Sequence, residues 1–259
     1  MKKLIKVITA AHKPYTIPDD PMYLPVQVGA LGRDSIGFQR DDEGDNISHL
    51  NPYYCELTGL YWGWKNLDTD YIGLAHYRRH FQGKKKGETP FESVLTTEEA
   101  EKLLKTTDII LPKKRHYYIE TLGDHYAHTH YKKDLDKTRT IIARLYPQYL
   151  SAFDRHLKST SGHMFNMFIM KKQLADAYCS FLFHVLKELQ KQVDYIAYDD
   201  FQARLFGRIS ELLLDVWINT NHLTYREVPV ISMEPVPWVK KGTAFLKAKF
   251  FGKKYEGSF

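Results

Sequence analysis

Cysteine is nearly absent from this chain: Cys55 and Cys179 are the only two in 259 residues. That is too few for a disulfide framework and favours a reducing compartment. Long apolar runs are missing as well, and nothing approaches the ~20 residues that span a bilayer. The first residues, Met1-Lys2-Lys3-Leu4-Ile5-Lys6-Val7-Ile8, lack the apolar stretch of a signal peptide and read as a first strand. A cytoplasmic location is expected. No internal repeat and no low-complexity linker divides the chain, which predicts one domain over residues 1–235 followed by a tail, 236–259. Net positive charge is scarce outside that tail. The net charge is +6, but six lysines (240, 241, 247, 249, 253, 254) and one acid, Glu256, lie between Pro237 and Phe259. The body is left nearly neutral, which argues against a nucleic-acid-binding domain, whose basic residues sit on its folded surface.

Aromatic residues, by contrast, are abundant: 18 Tyr, 14 Phe and 4 Trp. They suit either an aromatic core or a surface that stacks sugars or bases. Strand-like segments (4–10, 68–74, 108–112, 164–170, 228–231) alternate with helical ones. Asn51-Pro52 suits a helix start, with Tyr53, Leu57, Leu60, Tyr61 and Trp64 on its buried face. Further helices are expected over 96–104, 122–145, 172–190 and 201–217, with a break at Tyr146-Pro147. Residues 16–50 read as loop with short strands. The alternation predicts an α/β sheet with ligands at its strand ends.

The most informative stretch is Asp70-Tyr71-Ile72-Gly73-Leu74-Ala75-His76-Tyr77-Arg78-Arg79-His80-Phe81. It opens as a buried strand and ends in adjacent arginines flanked by histidines. In open α/β sheets the carboxyl ends of strands bind ligands. Guanidinium forks suit phosphate oxygens, so a phosphorylated ligand is expected here. Neighbours on an extended chain face opposite ways, so one arginine should face the ligand and the other should be structural. A metal held by His76 and His80 is the competing reading, though no carboxylates evidently complete it.

Several segments together resemble a known group. These are Gly44-Asp45-Asn46-Ile47-Ser48, Asn51 to Trp62, Trp64-Lys65-Asn66, Gly73 to Phe81, Asp108 to Pro112, Phe165 to Met170 and Arg204 to Glu211. In this order they resemble the bacterial capsular and exopolysaccharide glycosyltransferase family long described as a domain of unknown function, which includes galactofuranosyltransferases. The resemblance covers about residues 4 to 220. It implies an α/β fold of GT-A type, a single mixed sheet flanked by helices. It also implies a nucleotide-sugar donor, with UDP-galactofuranose the specific expectation, and a lipid-linked saccharide acceptor in capsule, exopolysaccharide or O-antigen assembly. One position departs from the family: Leu212 stands where relatives carry a basic residue.

The resemblance also assigns roles. Transferases of this type place Asp-X-Asp at a strand end to hold a metal against the donor diphosphate. Here that end reads His76-Tyr77-Arg78-Arg79, and Asp68-Thr69-Asp70 precedes the strand, where it suits turn chemistry. Arg78 and Arg79 are therefore expected to replace the metal and to balance the leaving diphosphate, so that no cofactor is needed; manganese or magnesium is the alternative. Thr9, Ala10 and His12 at the end of the first strand are expected at the uracil and ribose. Asp45, Asn46 and Glu56 are candidates for donor hydroxyls, although Asp45 and Asn46 equally suit a capped turn and Glu56 a solvated helix.

On the acceptor side, Asn166 is a buried amide needing partners, with His163 beside it and His125 in the histidine-rich Gly123 to His130. An inverting transferase needs a carboxylate base; Asp199, Asp200 and Glu211 are the candidates. Asp200 equally suits an N-cap, and Glu211 a pair with Arg204 or Arg208. The tail interleaves Trp238, Val239, Phe245, Leu246, Phe250 and Phe251 with lysines, a composition suited to an anionic membrane surface. Two other classes stand beside the transferase: a non-catalytic nucleic-acid-binding module and a metal-dependent hydrolase built on the histidines.

Overall fold

The computed structural model describes residues 3–235. The basic tail over 236–259, and with it the expected membrane contact, lies outside the described residues. The chain opens with β1 (Ile5–Ala11), β2 (Tyr23–Gln27) and the short β3 (Gln39–Arg40). Helices α1 (Asn51–Tyr54) and α2 (Leu57–Asn66) then lead to β4 (Tyr71–His76) and β5 (Arg79–Phe81). Next come α3 (Thr97–Leu103), β6 (Ile109–Pro112) and β7 (Arg115–His116). Three helices follow, α4 (Leu122–Thr129), α5 (Lys132–Leu145) and α6 (Pro147–Lys158). The last elements are β8 (Ser161–Gly162), β9 (Phe168–Lys171), α7 (Lys172–Gln190), α8 (Leu205–Thr220), β10 (Arg226–Val228) and β11 (Val230–Ser232).

The strands build a nine-stranded mixed sheet in the order β10-β6-β9-β4-β1-β2-β3, with β5 and β11 attached beside β4. Strands β1, β2 and β4 run parallel, and β9 lies antiparallel between β4 and β6. A separate β7–β8 ribbon lies off the sheet. Side chains alternate across a strand, and the core divides accordingly. Ile8, Ile72, Leu74, Ile109, Phe168 and Met170 face α2, α7 and α8. Ile5, Val7, Tyr71, Ala75, Ile110 and Ile169 face the side covered by α3 and β5. Helix α2 lies close on the sheet because its contact face is glycine: a Cβ on Gly63 would fall 2.2 Å from Ile8 Cδ1.

The expected mixed α/β sheet flanked by helices is present. Helix α7 spans the residues its periodicity predicts. Helix α3 carries a full capping box between Thr96 and Glu99. Three expectations are corrected. Asn51 is not an N-cap; Leu50 holds that position, and Asn51 Nδ2 donates inward to Cys55 O at 2.8 Å. The helix beginning there breaks at Cys55, whose φ is 54°. The helix expected over 122–145 is two, divided at the extended His130. Among the described residues no helix is long and apolar enough to cross a membrane.

Candidate functional site

Strands β1 and β4 are in parallel register, Ala10 opposite His76, so their carboxyl ends open on the same edge of the sheet. Tyr77 N donates to Ala10 O at 3.2 Å, closing the gap between the two ends. The Tyr77 ring is buried, edge-on to His12 at 5.3 Å and to Tyr15 at 4.8 Å. The chain then turns back into β5 and the adjacent arginines diverge. Arg78 is half-exposed, with Nη1 3.9 Å from Glu234 Oε2. Arg79 lies inward, its guanidinium 4.8 Å from the centre of the Phe165 ring. Burial, with the charge of Arg78 beside it, pulls the Arg79 pKa down from its ordinary value. A guanidinium so placed favours an anion that relieves both penalties.

Two kinked backbone segments supply the next groups. Phe165 and Asn166 have φ of 75° and 55°, and Cys55 has 54°. Non-glycine residues in this region each cost roughly 1–3 kcal/mol and gather at functional sites. The Cys55 kink presents Glu56, whose Oε1 accepts from Asn166 Nδ2 at 2.7 Å and lies 3.8 Å from His76 Nε2. Asn166 Nδ2 also donates to Gly207 O at 3.1 Å, and Asn166 Oδ1 accepts from Ser210 Oγ at 2.8 Å. His76 Nε2 lies 2.8 Å from Phe165 O, which only accepts, so this nitrogen carries the proton. Burial lowers the His76 pKa, outweighing the attraction of Glu56.

Helix α8 and the residue before it complete the wall. Arg204, Arg208 and Glu211 follow at spacings of four and three, one helical face. Arg204 Nε donates to Cys55 Sγ at 3.2 Å, and Arg208 Nη1 is 3.8 Å from Glu211 Oε1. Burial pushes the Glu211 carboxyl up, against the opposing charges of Arg208, Arg115 and Arg79, and Glu56 adds to the rise. Arg115 comes from the β7–β8 ribbon, its guanidinium over the Tyr117 ring at 5.0 Å. The strand edge thus gathers Arg79, Arg115, Arg204 and Arg208 around the two carboxylates Glu56 and Glu211, with Arg78 beside Arg79.

Of the residues singled out from the sequence, His76, Tyr77, Arg78, Arg79, Glu56, Asn166 and Glu211 come together here, with Ala10 and His12 at the rim. Thr9 lies inside the sheet, fully buried, its hydroxyl without a hydrogen-bond partner. Asp45 accepts from Tyr61 OH at 3.2 Å, and Asn46 holds its own loop through Asp42 O and Gly44 O. Asn46 does the work of a capped turn, while Asp45 ties that loop to α2. Asp199 caps the turn that follows it, accepting from Phe201 N and Gln202 N at 3.0 Å each. Asp200 is exposed on that same turn. His163 is fully buried, with both ring nitrogens on carboxylates. His125 and His128 share Glu120, at 2.7 and 2.9 Å, and His130 meets Gln202 Oε1 at 3.2 Å.

The groups that converge on the strand edge are mostly guanidiniums. His80 cannot join His76 in a site. It is buried edge-on against Tyr23, and burial pushes its pKa down to about 3. Asp70 Oδ2 accepts from Leu4 N at 2.8 Å, at the opposite end of β4. Among the described residues no group of three or more His, Cys, Asp or Glu is placed to hold a metal ion.

The sequence reading missed Arg115, Cys55 and Ser210 as site residues, and took Arg204 and Arg208 only as partners for Glu211. The helical spacing of 204, 208 and 211 was the available sign for the arginines. Leu212 is buried in the core.

Comparison with known proteins agrees with this architecture. A solved structure described as the apo form of WbbM, a bifunctional glycosyltransferase, matches with a TM-score of 0.80 at 30% identity. The match covers 90% of this chain and 46% of that one, so this chain spans about half of that length. No curated protein matches. Residues 6–222 match the family described as Domain of unknown function (DUF4422). With most of its length covered by that match, the chain belongs to the DUF4422 family.

Proposed function

We propose that the chain is a glycosyltransferase that takes a nucleotide-sugar donor and binds its diphosphate through guanidiniums rather than through a metal. The observation that carries this is the convergence of Arg79, Arg115, Arg204 and Arg208 on two largely buried carboxylates at the carboxyl ends of β1 and β4, with Arg78 beside Arg79. Planar forks match diphosphate oxygens. Fixed positive charge stabilises the negative charge that develops on the leaving group. The similarity to a bifunctional glycosyltransferase supports the reaction class.

The reaction is a displacement at the anomeric carbon. The acceptor hydroxyl oxygen attacks and its proton passes to a carboxylate. The bond from the anomeric carbon to the β-phosphate oxygen breaks, and the nucleoside diphosphate leaves with the electron pair. Glu211 is the base in this reading. Its carboxyl is buried and pushed up, closer to the working pH than an ordinary glutamate. Glu56 is already held by the Asn166 amide and serves to position. Asp199 and Asp200, exposed on their turn, are the weaker candidates for that role. The donor is a UDP-sugar. UDP-galactofuranose and a lipid-linked acceptor of surface-polysaccharide assembly follow from the family resemblance, with the basic aromatic tail of 236–259 as the contact to an anionic membrane.

Release of UDP from UDP-galactofuranose and from a series of UDP-hexopyranoses, measured with and without EDTA, tests this. Turnover of at least one donor in EDTA is expected. Absence of UDP release from every donor, with or without manganese, refutes the proposal.

A further inference from the structure

His163 is fully buried, yet both of its ring nitrogens are bound. Its Nδ1 lies 2.5 Å from Asp215 Oδ1, and its Nε2 lies 2.7 Å from Glu227 Oε1. Its backbone N–H donates to Asp215 Oδ2 at 2.8 Å. Three elements meet at this ring. Asp215 is on α8, Glu227 is on β10, and His156 of α6 stands 3.9 Å from Asp215. The Tyr225 ring closes the site edge-on at 5.1 Å, and Lys114 is within electrostatic reach of His156.

A carboxylate only accepts hydrogen bonds, whereas a neutral imidazole donates one and accepts one. With a carboxylate at each nitrogen, both nitrogens must donate. Asp215 is an ionised partner. Burial pushes its carboxyl up, but the hydrogen bond and charge of His163, with His156, pull it below the usual range. Glu227 is exposed on β10, its side chain 35% accessible.

We infer that His163 is a positioning residue in its doubly protonated form, an imidazolium that ties the Phe165–Asn166 segment to α8 and β10 and so sets the places of Arg79 and Glu56. One residue, Met164, separates the clamp from Phe165. Phe165 and Asn166 sit in a backbone region that non-glycine residues hold only when their surroundings over-determine it. On the far side, β9 fixes the segment by pairing with β4. On the near side, His163 does so through its backbone and both ring nitrogens. The Phe165 ring supports the Arg79 guanidinium, and the Asn166 amide holds Glu56. The role in ligand binding rests on the proposed transferase reading; the clamp itself does not.

The test combines histidine-labelled nitrogen NMR with calorimetric UDP titration on the full chain. One histidine should show N–H protons on both ring nitrogens near neutral pH, and that signature should vanish in His163→Gln. His163→Gln should bind UDP on the order of tenfold more weakly, the equivalent of one charge-assisted hydrogen bond. Glu227→Gln keeps an acceptor oxygen but removes the charge, and it stands in if His163→Gln does not fold. It should shift the Asn166 side-chain amide resonances and weaken UDP. A His163 ring with one N–H overturns the inference. So does a folded His163→Gln with wild-type UDP affinity, or a Glu227→Gln with unmoved Asn166 resonances. If the wild-type protein binds no UDP, the transferase reading fails, while the ring protons and the Asn166 resonances still decide the clamp.

Discussion

Replacing Asn166 by alanine should destabilise the fold by about 3–5 kcal/mol, and the structure divides that cost into parts. The side chain donates to Glu56 and Gly207 and accepts from Ser210. Gly207 O keeps Ser210 as a donor, at 2.8 Å, so its loss is small. The bond to the Glu56 carboxylate is charge-assisted and worth roughly 1.5–3 kcal/mol, and the neutral bond to Ser210 about 1. The backbone adds a separate part. At φ 55° alanine pays a steric penalty of about 1 kcal/mol that asparagine partly escapes and glycine avoids. Asn166→Gly should therefore lose the hydrogen bonds without the strain and stay about 1 kcal/mol more stable than Asn166→Ala. For a domain of this size the alanine change corresponds to a fall of roughly 10 °C in Tm. Urea unfolding of the three proteins, followed by tryptophan fluorescence, measures both differences. A wild-type midpoint for Asn166→Ala refutes the hydrogen-bond argument. Equal midpoints for the alanine and glycine variants refute the strain argument.

Other outcomes follow from the same geometry. Glu211→Gln should lower UDP release by on the order of 100-fold or more, the usual contribution of a general base, while UDP still binds. Because burial raises the Glu211 pKa and the base works deprotonated, the wild-type rate should fall as pH drops through that raised value. This acid limb should lie above that of an ordinary glutamate, and Glu211→Gln should abolish it. Thr9→Val should be neutral or up to about 1 kcal/mol more stable in a denaturant melt, because the buried hydroxyl has no partner to lose. Gly73→Ala should cost about 2 kcal/mol by overpacking, since its Cβ would fall 2.6 Å from the Phe168 carbonyl oxygen.

The sequence disclosed what depends on local pattern. Apolar periodicity marks α7, Thr96 and Glu99 mark the start of α3, and the run from Tyr71 to Leu74 marks β4 as a buried strand. It was silent where tertiary contacts override local preference. No glycine or proline announces the turn at Cys55, which depends on Asn51 and Arg204 holding the kinked segment. The break at His130 is likewise set by contacts from elsewhere, with Gln202 and Phe201 meeting that ring.

The site shows the same division. Arg78 and Arg79 are adjacent in sequence and were visible at once. Arg115 lies far along the chain and reaches the site only because β7 pairs with β8. Asp45, Asn46 and Asp199 carry no distinct signal, because the same short acids and amides suit both sugars and turns. A buried histidine between carboxylates likewise has no distinct pattern in sequence.

UDP titration by calorimetry in EDTA, on the wild type, Arg78→Ala and Arg79→Ala, tests the central claim most directly. The account predicts metal-free binding to the wild type and a clear loss in both variants, larger at the inward-lying Arg79. Binding that appears only with manganese, or that survives in both variants, would contradict an arginine-held diphosphate.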